Sequence, residues 1–244
     1  MTTSELNLPE GVAWEESVDA GAQATLLAGQ VADVLRDALA VRGQASLLVS
    51  GGRSPALFLE ALSEQPLEWS RVHVGLVDER WVAEGHADSN ATLVRRHLLR
   101  GAASAARFHP LHHDAESLEQ AAERADRALG DWPQPTDVVV LGMGNDGHTA
   151  SLFPQSPGLE EALDPEGRRR CLPMWAPQVP HQRLTLTLSF LAPARRVFLL
   201  LEGEAKRATL ARALSTDATS MPIRAFLHAP LSIHWCPSAQ ESRA

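Results

Sequence analysis

Strand-like and helix-like patterns that alternate along the chain predict an α/β protein with a mostly parallel sheet. Three features of the 244-residue sequence carry that expectation. Short apolar runs and 3.6-period segments follow one another in turn, several apolar runs stop at glycine-rich or charged motifs, and none approaches the roughly 18 consecutive apolar residues of a membrane span. At 44% hydrophobic and 21% charged residues, the chain can fill one sizeable core. No internal repeat, low-complexity tail or linker divides it, so residues 1–244 are expected to form a single α/β domain.

The first element is an amphipathic helix from about Ala20 to Val41, where Ala24, Leu27, Ala28, Val31, Val34, Leu35 and Ala38 recur at helical spacing. "ASLLVS" then reads as a strand that stops at "GGRSP" and enters the helix "ALFLEAL". "VHVGLVDER" reads as another strand, running into a long loop. Helices follow near Asn90–Leu99 and Ala115–Leu129, then strands at Asp137–Leu141, "RLTLTL" and "RRVFLLLEG", the helix "EAKRATLARAL" and a late strand "LSIHW". "PQSPGLEEALDPEG" reads as loop. Open sheets of this kind bind ligands at the carboxyl ends of their strands, and several polar motifs of this chain follow strands.

Charge and cysteine content narrow the partners. A formal net charge of −8 argues against nucleic acid or an acidic membrane, which need an extended basic face, so an anionic small molecule would need a local basic pocket. Cys171 and Cys236 lie far apart with no metal-ligand spacing and read as reduced, structural thiols. The polar, acidic start "MTTSELNLPEGVAWEES" lacks the pattern of an export signal, so a cytoplasmic location is expected. A monomer is expected.

"VVVLGMGNDGHTASLFP" contains a G-x-G-x-x-G pattern at Gly142, Gly144 and Gly147 directly after an apolar strand. A dinucleotide cradle needs a crossover helix of about 10–12 residues after the last glycine. Here Pro154, Pro157 and Gly158 interrupt the chain, and Glu160, Glu161 and Asp164 fall in loop-like sequence, so a nicotinamide cofactor is not expected. The segment instead offers Asp146 and His148 at a strand mouth, where glycines such as Gly144 let backbone approach a ligand. The bland alternative is a capped turn with a packed imidazole.

Three strand ends suggest an anion site. In "VSGGRSPALFLEAL", Ser50, Gly51 and Gly52 end a strand, Ser54 is placed as an N-cap, and Pro55 takes the first helical position. Free N–H groups and the positive helix end suit a phosphate, with Arg53 either assisting or facing solvent. "LEGEAKRATL" repeats the layout with Lys206 in the first helical turn, where a cation is disfavoured unless an anion binds. Among 22 Lys and Arg residues Lys206 is the sole lysine, which suggests a need for a compact point charge. "LVDERWV" places Asp78, Glu79 and Arg80 at a third strand end, either facing the same crevice or forming a solvated charge cluster.

Taken in order, "SGGRSP", "DERWV", "DSN" at Asp88–Asn90, "GMGNDGHTASLFP", "RLTLTL" and "GEAKRATL" resemble the 6-phosphogluconolactonases of the pentose phosphate pathway across nearly the whole chain. The resemblance implies a Rossmann-like three-layer fold with helices on both faces and no bound nucleotide. It also implies metal-free hydrolysis without a cofactor, a phosphosugar lactone as substrate, and a place for Asn90 in the site. Ala83 and Ala91 depart from the family, which usually has proline at the first position and an aromatic residue at the second. The related hexosamine-6-phosphate deaminases and isomerases share the core but carry a carboxylate where this chain has Phe153 and an aromatic where it has Arg80. A non-catalytic sugar-phosphate sensor would keep the phosphate loop and Lys206 without needing Asp146 and His148.

On this resemblance His148 takes a proton from water and returns it to the leaving ring oxygen, while Asp146 orients either His148 or the substrate. Ser50–Ser54 and Lys206, with Arg183 as a further candidate, anchor the phosphate. Arg80 either stabilises charge on the carbonyl oxygen or holds the phosphate.

Overall fold

The computed structural model describes residues 6–52, 54–83 and 85–241. In chain order the elements are β1 (Ala13–Glu16), α1 (Ala20–Arg42), β2 (Ala45–Val49), α2 (Pro55–Ser63), β3 (Val72–Leu76), β4 (Asp78–Arg80), α3 (Asn90–His97), β5 (Arg107–His109) and α4 (Leu118–Ala128). They continue with β6 (Val138–Leu141), α5 (Leu159–Ala162), β7 (Cys171–Trp175), β8 (Gln182–Leu186), α6 (Leu188–Leu191), β9 (Arg196–Glu202), α7 (Glu204–Leu214) and β10 (Leu231–Cys236). Short β1, β5 and β7 carry too little apolar pattern to be read from sequence.

Seven strands form one sheet in the order β1-β10-β9-β6-β2-β3-β5, with every neighbouring pair parallel. The central strands β2, β3 and β6 are buried along their whole length, which is why they read as continuous apolar runs rather than alternating ones. From β2 the chain winds outward through β3 to β5, then returns to lay β6 against the other side of β2. The strand order therefore reverses between β2 and β6, and such a switch point opens a crevice at the carboxyl ends.

Helix α1 meets its expected pattern: Ala24, Leu27, Ala28, Val31, Leu35 and Ala38 are buried. Asp19 accepts from the Ala22 N–H at its start, and Gly43, at φ 71°, ends it in the left-handed conformation. Among the described residues no helix is long and apolar enough to cross a membrane. Both cysteines are buried free thiols, as a structural role requires, and burial pushes each up to about 12.

Three sequence expectations need correction here. "VHVGLVDER" is two strands: the chain leaves the main sheet at Val77, whose N–H donates to Val49 and whose carbonyl accepts from Leu186, and β4 enters a separate antiparallel sheet of order β4-β8-β7. "RLTLTL" forms part of β8 there, and so does not join the parallel sheet. Glu160 and Glu161 lie in the one-turn α5 rather than in loop, still far short of a crossover helix.

At the junction of the two sheets Glu79 is fully buried. Strand alternation turns it away from Asp78 and Arg80, so it does not face the crevice as the "DER" motif suggested. Its carboxylate accepts from the N–H groups of Arg80 (2.7 Å), Asn90 (2.7 Å) and Ala91 (2.8 Å), and from the Ser89 hydroxyl (3.1 Å). An acid at the N-terminus of α3 satisfies donors that the helix leaves open. Burial nonetheless pushes the Glu79 carboxyl above its ordinary range against the pull of those N–H groups, with the Asp78 charge adding to the rise.

Glu79→Gln keeps the shape but aims an amide N–H₂ at donors. It should lower unfolding stability by about 2–3 kcal/mol, read as an earlier urea midpoint at unchanged slope. An unchanged midpoint would show that the carboxylate does not hold α3.

Candidate active site

The crevice at the switch point is a cavity of about 400 Å³. Ser50 and Gly142, the residues that follow β2 and β6, close its floor. The Ser50 hydroxyl donates to the Val140 carbonyl (2.9 Å) and accepts from the Gly142 N–H (3.0 Å), so it stitches the diverging strands and has no proton left for a phosphate. Ser50 therefore shapes the site by holding its floor together.

The turn after β2 is also used differently from the expectation. A Cβ at Gly51 would stand 1.7 Å from Asn90 Oδ1, so this glycine makes room for the Asn90 side chain, while Gly52 needs its freedom for φ +97°. Ser54 takes the N-cap position and Pro55 opens α2, as the sequence suggested, but Ser54 is in helical conformation and its side chain makes no capping bond. That end of α2 borders the cavity, and the Ser54 side chain does not bond to its N–H groups. Arg53 lies outside the described residues.

Opposite this turn, β4 and β8 present one face to the cavity. Asp78 pairs in register with Thr185, and Arg80 with Arg183, so alternation puts all four on the same side. Asp78 is buried and fully bonded: it accepts from the Ser151 hydroxyl (2.6 Å) and, at both carboxylate and carbonyl, from the Asn90 amide (3.2 and 2.9 Å). Asn90, at the first position of α3, thus links α3 to β4, and the family departure at Ala91 leaves it well seated.

Arg80 donates to the Asp88 carbonyl (2.6 Å). Arg183 is 7% exposed, and its Nε and Nη1 have no partner among the described residues. Burial pulls the Arg183 guanidinium down from its ordinary value, as does the Arg80 charge, against the opposing pull of Asp78, Asp88 and Glu79. A buried guanidinium with open donors is costly unless an anion meets it.

Lys206 comes from the first turn of α7 and is half-buried in the same cavity. Its Nζ donates to the Met143 carbonyl (2.6 Å), which leaves two of its three protons for a ligand. Burial lowers the Lys206 ammonium from its usual range, and the Asp146 charge works against that.

Between these cations lies the loop from β6. His148 lines the cavity, and its Nδ1 sits 2.6 Å from Asp146 Oδ1. The carboxylate can only accept, so Nδ1 carries the proton and the lone pair of the neutral ring resides on Nε2. Burial works to raise the Asp146 carboxyl, but the His148 side chain and the N–H groups of His148 and Asp146 outweigh it and hold the group at about 2. A Cβ at Gly144 would lie 2.1 Å from His148 Nδ1 and 2.5 Å from Asp146 Oδ1, so that glycine makes room for the pair rather than for a nucleotide. Phe153 packs on the imidazole with ring centres 4.6 Å apart.

Sequence reasoning missed Ser151, Gln178 and Glu202, which also line the cavity. Ser151 stands three residues after His148, a spacing that does not reveal a partner 73 residues earlier in the chain. Among the described residues no three His, Cys, Asp or Glu side chains converge as a metal site.

The chain matches the family model described as glucosamine-6-phosphate isomerases/6-phosphogluconolactonase over residues 18–235. It is 63% identical over 238 residues to the 6-phosphogluconolactonase of Pseudomonas aeruginosa, covering 97% of this chain and 100% of that protein. It is 57% identical to the enzyme of that name from Pseudomonas putida, covering 97% and 98%. The crystal structure of a 6-phosphogluconolactonase from Shewanella baltica superposes with a TM-score of 0.89 at 39% identity, covering 96% and 100% of the two chains. Matches of this extent, on a site that carries the motifs described above, show that the chain belongs to the glucosamine-6-phosphate isomerase/6-phosphogluconolactonase family.

Proposed function

We propose that the chain hydrolyses 6-phospho-D-glucono-1,5-lactone to 6-phosphogluconate, with His148 as general base. The observation that carries this reading is the Asp146–His148 hydrogen bond beside a cavity lined by Arg80, Arg183 and Lys206. Relatives at 63% and 57% identity bear the name of that enzyme. Phe153, packed at a tilt against His148, stands where the deaminases and isomerases of the family carry a carboxylate, which favours hydrolysis over deamination.

In the proposed reaction a water oxygen adds to lactone C1 as its proton passes to His148 Nε2, and the carbonyl electron pair moves onto oxygen. Asp146 keeps the Nδ1 proton and stabilises the imidazolium. Arg80 leaves the Asp88 carbonyl to meet the oxyanion, while Arg183, Lys206 and the Gly51–Ser54 turn hold the phosphate. The bond from C1 to the ring oxygen then breaks, and that oxygen takes the proton back from His148. The carboxylic acid formed loses its proton to water. No metal or organic cofactor takes part, and the enzyme works as a cytoplasmic monomer without a nucleic-acid or membrane partner.

Purified protein should accelerate lactone hydrolysis equally before and after treatment with a chelator, and release no ammonia from glucosamine 6-phosphate. Loss of activity restored by zinc, or measurable ammonia, would overturn the metal-free lactonase reading.

His148→Asn should lower kcat by roughly 100- to 10,000-fold with KM nearly unchanged. Asp146, held at about 2, stays ionised above pH 4, so any acid limb seen there belongs to another group. The loss of that limb in His148→Asn assigns it to the imidazole, whereas an active variant that keeps the limb would remove His148 as the base.

Lys206→Ala should raise KM by roughly 10- to 150-fold, the equivalent of a charge-assisted contact worth about 1.5–3 kcal/mol. The fall in turnover should be smaller and reflect the lost hold on Met143. Lys206→Arg should also be impaired, because a planar guanidinium cannot keep the carbonyl contact and the anion contact from one tight turn. Parent-like binding of 6-phosphogluconate by the Arg variant would contradict a point-charge role.

A further inference from the structure

The loop that carries Asp146 and His148 has irregular backbone, yet most of its carbonyls have partners. Gly142 O accepts from the Thr149 hydroxyl (2.8 Å), Gly144 O from the Gly147 N–H (3.2 Å), Gly147 O from the Ile223 N–H (2.9 Å) and His148 O from the Gly144 N–H (2.8 Å). The carbonyls of Met143 and Asn145 turn outward, to α7. Lys206, Thr209 and Arg212 recur at i, i+3 and i+6 and so share one face of that helix. Lys206 Nζ takes Met143 O, and Arg212 Nη2 takes Asn145 O at 3.0 Å.

Thr209 does not substitute for Arg212. Its hydroxyl has one proton, which the Ala205 carbonyl receives at 2.9 Å, while Asn145 O lies 3.4 Å away. Arg212 Nη2 has two protons, enough for Asn145 O and for the Thr209 oxygen at 3.1 Å. The Asn145 carbonyl therefore rests mainly on the guanidinium.

We propose that Arg212, exposed on α7 and outside the cavity, is a positioning residue for the Asp146–His148 pair and acts through the Asn145 carbonyl. In a trans peptide the C=O and the following N–H point in opposite directions. Drawing Asn145 O towards α7 thus fixes the plane of the 145–146 peptide with the Asp146 N–H aimed away from α7, and so sets the backbone from which the Asp146 side chain departs. Its carboxylate accepts from the His148 backbone N–H (3.1 Å) and fixes the ring through Nδ1 (2.6 Å). Without Arg212 the 145–146 peptide is free to rotate, and the imidazole loses its fixed approach to the attacking water.

The catalytic half of this inference rests on the proposed hydrolysis, and the test separates the two. Arg212→Ala, Arg212→Lys and parent are compared by lactonase kinetics, thermal unfolding and amide hydrogen exchange across residues 142–149. Arg212→Ala should lower kcat by roughly 5- to 30-fold, since misplacing a reacting group by about 1 Å costs up to ~100-fold. KM should stay within about twofold, because Arg212 does not touch the cavity. The Gly144 and His148 amides, which donate to His148 O and to the Asp146 carboxylate, should exchange at least roughly tenfold faster, as expected for local opening without global unfolding. Arg212→Lys should recover part of both losses. If the parent does not hydrolyse the lactone, the proposed function falls while exchange at Gly144 and His148 still decides the positioning role. Parent-like exchange at Gly144 and His148 in Arg212→Ala would overturn the inference. So would a kcat loss that comes with a matching loss of thermal stability and is not recovered by lysine.

Discussion

The buried Glu79 carboxylate is the interaction on which the cavity wall depends. It sits where the chain leaves the parallel sheet for the antiparallel one, and it binds the end of β4 and the start of α3 with four donors. Its surroundings disfavour its charged form, so bulk stability is a poor reason for placing it there. Geometry is a better one. By holding the Asn90 N–H it sets the Asn90 side chain between Gly51 and Asp78, and through the Arg80 N–H it sets the strand that carries the cavity's arginines.

The electrostatics of the site follow from what the fold leaves unpaired. The chain is acidic overall, yet the cavity gathers Arg80, Arg183 and Lys206, two of them with lowered pKa because burial removes water from them. Two of the acids nearby are already engaged: Asp78 by Ser151 and Asn90, Asp146 by His148. The ionised anion of a ligand is therefore the group best able to complete these cations, and it is drawn into a small volume rather than onto a broad basic face.

The glycines after β6 illustrate how one pattern serves different chemistry. In a dinucleotide fold they let a helix approach a pyrophosphate. Here no crossover helix follows. Gly144 gives way to the imidazole and carboxylate, while Gly147 adopts φ +81° and lies against Met221. The loop is not regular structure, yet most of its carbonyls find partners, several of them supplied from α7 and the 222–226 segment.

The sequence by itself determined the α/β class, most helices, the central strands and the candidacy of His148, Asp146, Lys206, Asp78, Arg80, Asn90 and Arg183. These are legible because helical periodicity, apolar runs and strand-end motifs are local. Tertiary structure alone decided that "VHVGLVDER" divides between two sheets and that Glu79 turns inward. It likewise decided that Ser50 is a stitch between strands, that the Ser54 side chain makes no capping bond, and that Gly51 answers to Asn90. It also made Arg183 a buried cation with open donors, by pairing it in register with Arg80 across strands about a hundred residues apart in the chain. The physical reason is the same in each case: the partner that fixes the role of the side chain is remote in sequence, and only the switch point between β2 and β6, with the second sheet set beside it, brings the two within hydrogen-bonding distance.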